Sequence, residues 1–381
     1  MKAFLHIGTV KTGTTSIQRF LQDNKNELKK HKFYYPQSIL YEKENPQHIF
    51  LEHIAKQIYI KTKNNPNNFI KYLNSERIIR TLKQEIEKNK DKTFIFSSEC
   101  ISFFLDIEEK IKALKLFLNY LGFDDIKIIL YLRNQADLMV SLSSEDLKRG
   151  LIKASYEIKP QEHEHIYTFD YDILCSRYSD IFGKENFIPR IFQKDDFFKD
   201  DLIKDFLHIL GIKDYDFIFP KNKNESLNLL GFEFLSIFNK YNNNMDDIPS
   251  SCSDVLCFYD KNLKFMPPKQ SYGAYLEYFE DSNEKVRKKF FPDRERLFTK
   301  KDLSTYQENY ELKHINKEHI DKIAEFSWKM FQKSKDKNNY LEYLKSFLKD
   351  EKKNKGIFYS IFISVLIEAI RFIQRRERGK F

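Results

Sequence analysis

The chain has 381 residues, 41% hydrophobic and 32% charged, with a net charge of +9 and a pI near 9.0. The apolar share supports a core, as one large α/β domain or two smaller ones, and the positive balance favours an anionic nucleotide and an acidic glycan or membrane surface. Lys and Glu alternate along most of the chain, which weighs against nucleic acid, and four scattered cysteines exclude a disulfide framework and point to a reducing compartment.

Met1 and Lys2 lead straight into an apolar run at residues 3–7, with no signal-peptide pattern, so a cytoplasmic location is expected. The run predicts a buried strand. The stretch HIGTVKTGTTS, residues 6–16, then predicts a Gly-containing turn opening a helix, with Ile17, Phe20 and Leu21 as its apolar face. Backbone N–H groups in such a turn converge on a phosphate, aided by the helix dipole. Gly8 and Gly13 are spaced as in a Walker A loop, but Thr14 stands where that loop has its Lys, and the cation is Lys11.

Asn-Pro-Gln-His ends at His48, a lone histidine that fits either a base or a helix start. Residues 55–92 read as helices with Lys- and Asn-rich joints and predict a cap on the sheet. Residues 93–96 form an apolar strand that runs into Ser97, Ser98 and Glu99. IKIILYL, residues 126–132, is a strand covered on both faces. It ends in Arg133, with Ser141 eight residues on. Taken singly, Arg133 is equally a surface residue capping a strand. His163 and His165 lack further ligands, so no metal is expected. Strands alternate with helical patterns to about residue 212, which predicts βαβ units and a mainly parallel sheet.

Residues 221–301 are irregular, with an Asn run at 242–244 and Pro267-Pro268. Residues 333–356 read as a polar, Lys-rich linker. In IFYSIFISVLIEAIRFI, residues 357–373, the polar positions Ser360, Ser364, Glu368 and Arg371 form one narrow helical stripe, and Arg375, Arg376, Arg378 and Lys380 follow. The stretch is short for a span. It suits a helix lying on an anionic membrane surface, or one docked on the protein or on a second copy in a homo-oligomer.

Lys-Thr-Gly-Thr-Thr behind a strand resembles the 5′-phosphosulfate loop of the sulfotransferase family that uses 3′-phosphoadenosine 5′-phosphosulfate (PAPS). The resemblance extends to Arg133 with Ser141 and to residues 171–210, and residues 224–227 and 283–298 look like bacterial, carbohydrate-directed members. It implies a P-loop-like three-layer α/β fold with a mainly parallel central sheet, a helical cap and a C-terminal helical extension. Residues 1–332 would be the sulfotransferase domain, 333–356 the linker, and 357–381 an amphipathic helix with a basic tail, which on the membrane reading would set the otherwise cytoplasmic protein at the inner face of the membrane.

The implied activity moves a sulfuryl group from PAPS, as co-substrate and without a metal, to a hydroxyl of a carbohydrate or glycolipid. Lys11, Thr12, Gly13, Thr14, Thr15 and Ser16 would hold the phosphosulfate, with Lys11 at the bridging oxygen, and Arg133 and Ser141 the 3′-phosphate. Residues 221–301 would cover the acceptor side. The base is sought first in Glu99, which could instead orient another residue or bind acceptor hydroxyls, and second in His48. The family's Arg-Lys-Gly triplet is incomplete here, since Arg287-Lys288-Lys289 lacks the Gly. A P-loop metabolite kinase would need a Lys after Gly13 and a Walker B Asp. A nucleotide-binding module without turnover would need no carboxylate on the neighbouring strand.

Overall fold

A computed structural model describes residues 1–42, 46–63, 68–213, 216–220, 226–241, 258, 263–314 and 316–333. The expected linker beyond 333 and the terminal helix at 357–381 lie outside the described residues. In chain order the regular elements begin with β1 (Lys2–His6), α1 (Thr14–Asp23), α2 (Lys25–Lys30), β2 (Phe33–Tyr34), α3 (Ile49–Thr62), α4 (Asn68–Ser75) and α5 (Arg77–Glu87). Next come β3 (Thr93–Ser97), α6 (Cys100–Phe104), α7 (Glu108–Tyr120), β4 (Asp125–Leu132), α8 (Gln135–Lys148) and α9 (Tyr171–Phe182). The series closes with β5 (Phe187–Ile191), α10 (Leu202–Leu210), α11 (Leu229–Tyr241), α12 (Lys269–Tyr278), α13 (Glu280–Phe290) and α14 (Lys317–Lys333).

The chain forms two compact units. The first comprises the described residues of Met1–Gln135, Glu164–Lys223 and Glu277–Lys301. It holds the whole sheet, five strands in the order β2-β3-β1-β4-β5, every pair parallel. Alternate residues of each strand point to opposite faces, and both faces are apolar. Leu5, Phe94, Phe96, Ile128 and Leu130 pack with Leu51, Leu82, Phe117 and Tyr178 of α3, α5, α7 and α9. Phe4, Ile95, Ile129 and Tyr131 pack with Phe20 of α1 and Phe206 of α10. Full burial of each such side chain contributes about 1.5–3 kcal/mol. This is a P-loop-like three-layer α/β fold, and the expected helical cap, α3 to α5, supplies part of one outer layer.

The segment after α9 folds as its pattern predicts. A single turn (Lys184–Asn186) leads into β5, and α10 ends at Gly211, whose φ of 78° supplies the left-handed C-cap. A buried cluster anchors it. Asp205, fully buried, accepts from Tyr131 at 2.9 Å, from Arg190 Nε at 3.1 Å and from the Phe198 amide at 3.0 Å.

The second unit comprises the described residues of Ala136–His163, Asn224–Leu276 and Asp302–Phe381. Its core is aromatic: Phe232 stacks on Phe265 at 3.6 Å, and Phe326 packs against Phe234, Phe238 and Phe258. Asn239 donates to the Leu147 and Leu151 carbonyls, both at 2.9 Å, tying α11 to the end of α8.

Candidate functional site

In parallel α/β sheets ligands bind beyond the carboxyl ends of the strands, where the strand order reverses. Here β1 continues to β2 on one side of itself, and β4 lies on the other. The loop after β1 therefore emerges between the ends of β3 and β4. That loop carries Lys11, the end of β3 carries Glu99, and the end of β4 carries Arg133.

The loop keeps its shape through its own side chains. Thr9 donates its hydroxyl to the Tyr131 carbonyl at 3.0 Å, and the buried Thr12 donates to the Thr9 carbonyl at 2.5 Å. The Thr12 hydroxyl, expected at the donor, is thus engaged inside the loop. Gly8 has φ of 70°, and a Cβ there would lie 3.0 Å from Glu99 Cβ and 2.9 Å from Thr14 Cγ2. Gly13 has φ of 74°, and a Cβ there would lie 2.3 Å from Leu202 Cδ2. Only glycine lets the chain turn and approach this closely at both positions. Lys11 also has positive φ, 62°, a strained backbone for a side chain and one that clusters at functional sites.

Gly13 caps α1 without a side-chain bond, and its carbonyl accepts the Ser16 and Ile17 amides at 3.0 and 3.2 Å. The first amides of a helix have no intrahelical acceptor, so Thr14 and Thr15 open α1 with N–H groups and a positive dipole end suited to an anion. Thr15 is exposed, Ser16 half-buried and Thr14 buried.

Arg133 joins this loop directly. Its Nη1 donates to the Lys11 carbonyl at 2.8 Å, and its guanidinium lies 5.7 Å from the centre of the Phe192 ring. The Tyr171 hydroxyl clasps the Arg133 backbone, donating to its carbonyl at 2.5 Å and accepting from its amide at 3.3 Å. Sequence reasoning missed Tyr171 and Phe192 as supports; both lie in the segment 171–210, but nothing in their spacing links them to Arg133.

Glu99 is half-buried and precedes α6, whose Phe103 amide bonds its carbonyl at 3.2 Å. Its carboxylate accepts the Thr14 hydroxyl. A carboxylate therefore sits against the loop that opens α1.

His48 stands elsewhere. It is fully buried, its Nδ1 accepts the Ser97 amide at 3.1 Å, and its Nε2 meets the Pro36 carbonyl at 2.9 Å. The amide donor fixes the tautomer: Nδ1 is bare and Nε2 carries the proton. Burial pushes its pKa down to about 4. With both nitrogens bonded to backbone, the ring braces the end of β3 and has no lone pair to offer a substrate. His6, unremarked in the sequence, flanks the same residue through Nδ1 and the Ser97 hydroxyl, 2.9 Å apart. Burial lowers its pKa to about 3.

The first unit thus brings together the Lys11 loop, Glu99 and Arg133. Ser141 lies on α8 in the second unit and is buried. Arg287 is engaged with Glu284 at 2.7 and 2.9 Å and with the Arg294 carbonyl at 2.8 Å. His165 packs its ring on Phe103 at 4.4 Å, while His163 meets the Ser155 hydroxyl at 3.3 Å. Among the described residues no group of three or more His, Cys, Asp or Glu is placed to hold a metal, and no helix is long and apolar enough to cross a membrane.

No protein-family model matches the chain, and no curated protein matches it. Among solved structures it is similar to a sulfotransferase from Alicyclobacillus acidocaldarius, with 17% identity over 63% of this chain and 94% of that one and a TM-score of 0.34. A likeness of that degree decides neither fold nor function.

Proposed function

We propose that this protein is a sulfotransferase that moves a sulfuryl group from PAPS to a hydroxyl of a carbohydrate or glycolipid acceptor. The observation that carries the reading is the bond between Arg133 and the Lys11 carbonyl, which ties a guanidinium to the backbone of the loop whose Thr14 hydroxyl bonds the Glu99 carboxylate. That donor set suits a ligand with two separate anionic groups. The α1 amides and Lys11 would hold the phosphosulfate, and Arg133 with Ser141 the 3′-phosphate, the Ser141 share resting on its chain spacing.

In the reaction Glu99 takes the proton of the acceptor hydroxyl as its oxygen attacks sulfur in line. A new S–O bond forms, the bond from sulfur to the nucleotide's bridging oxygen breaks, and Lys11 balances the charge that gathers on that oxygen. Residues 357–381, by their sequence, would hold the enzyme at an anionic membrane surface and so near a glycolipid acceptor.

Transfer of sulfate-35 from labelled PAPS to a panel of glycans and glycolipids tests the activity, and calorimetry tests the donor. Binding of 3′-phosphoadenosine 5′-phosphate in the micromolar range, clearly preferred over ATP, is expected. Equal affinity for ATP with a Mg²⁺ requirement would hand the protein to the kinases. Nucleotide binding with no transfer to any acceptor would leave a binding module.

A further inference from the structure

We propose that Glu99 is an internal anion of the donor loop, competing with the phosphosulfate for the Thr14 hydroxyl, so that donor binding itself swings the carboxylate out to serve as base. The proposal rests on the donor reading above and adds an order of events to it.

Three observations carry it. The Glu99 carboxylate accepts the Thr14 hydroxyl, at the opening of α1 where the dipole favours any anion, carboxylate or phosphosulfate alike. Thr14 is 3% exposed, and a hydroxyl has one proton to donate. It cannot serve Glu99 and a donor oxygen together. Finally, the Glu99 stem lies close against the loop at a glycine: a Cβ on Gly8 would lie 3.0 Å from Glu99 Cβ and 3.2 Å from its Cα. The exchange needs only the carboxylate end of the side chain to turn away.

The exchange has a chemical consequence. A hydrogen bond to the ionised form stabilises a carboxylate and makes it a weaker base. A carboxylate that gives up the Thr14 hydroxyl to the donor, and then faces the donor's negative charge, holds a proton more tightly. Glu99 would gain basicity only once the sulfuryl group is in place.

The test is calorimetry with 3′-phosphoadenosine 5′-phosphate on the full chain, with no acceptor present. Glu99→Gln should bind about tenfold more tightly than the parent, the scale of one hydrogen bond to a charged group; structural damage would act in the opposite direction. Thr14→Val should change affinity little in the parent, where the hydroxyl is merely exchanged between two anions. In a Glu99→Ala background, where no side-chain oxygen is left to accept the hydroxyl, the same change should weaken binding about threefold or more, a coupling that a double-mutant cycle isolates. Thr14→Ser should restore parent behaviour. Glu99→Gln binding no more tightly than a parent that does bind, or Thr14→Val costing the same in both backgrounds, would overturn the competition. If neither protein binds the nucleotide, the donor reading falls and the proposal with it.

Discussion

Acid should destabilise this protein through two histidines at the end of β3. His48 is held by two backbone groups and His6 by the Ser97 hydroxyl, and both are fully buried. Their pKa values fall from 6.5 to about 4 and about 3. In the unfolded chain each takes a proton as pH drops through 6.5; in the folded chain each stays neutral until pH nears its lowered value. The unfolded state therefore binds more protons, and stability declines from about pH 6.5 downward. One pKa unit corresponds to about 1.36 kcal/mol, so at about pH 5, some 1.5 units below the unfolded value, each histidine costs about 2 kcal/mol and the pair about 4. For His48 the geometry sharpens the penalty, because a proton on Nδ1 would face the Ser97 N–H. Urea unfolding at about pH 7.5 and about pH 5 measures the loss, and His6→Phe should remove about half of it. NMR should show the His48 ring still neutral at about pH 5.5, below its unperturbed pKa. A His48 ring titrating near 6.5, or stability unchanged between the two pH values, would refute the reasoning and return His48 to the candidates for base.

Lys11→Ala and Arg133→Ala each remove a charge-assisted contact of about 1.5–3 kcal/mol, so calorimetry should find donor affinity roughly tenfold to a hundredfold weaker, and Lys11→Ala should also lower turnover. Glu99→Gln should cut transfer about 10²–10⁴-fold in the sulfate-35 assay, the usual share of a general base, whereas near-normal turnover would remove Glu99 from that role. Gly13→Ala places a side chain at φ of 74° against Leu202; thermal unfolding should register a loss of about 1–3 kcal/mol. Full-length protein should pellet with anionic vesicles and be partly released by high salt, each basic residue adding about 1 kcal/mol. A form ending near Gly356 should stay in the supernatant and still bind the nucleotide.

Much of the local structure was legible in the residues. Continuous apolar runs marked β1, β3 and β4 because both faces of the sheet are covered, and the Thr-rich turn before Ile17 and Phe20 marked the start of α1. Arg133 and Glu99 could be placed at strand ends for the same reason. Periodicity reports which face of an element is apolar and says nothing of its neighbour. The order β2-β3-β1-β4-β5 set β1 between the other two, so the Gly8 turn meets Glu99 on one side and Arg133 on the other. The bonds that follow join residues 85 and 122 apart in the chain, a distance no local pattern spans. The same packing made His48 a buried brace, engaged Thr12 inside its own loop and gave Arg133 the Tyr171 clasp. Burial and hydrogen-bond partners decide whether a polar side chain does chemistry or holds the fold, and both belong to the tertiary structure.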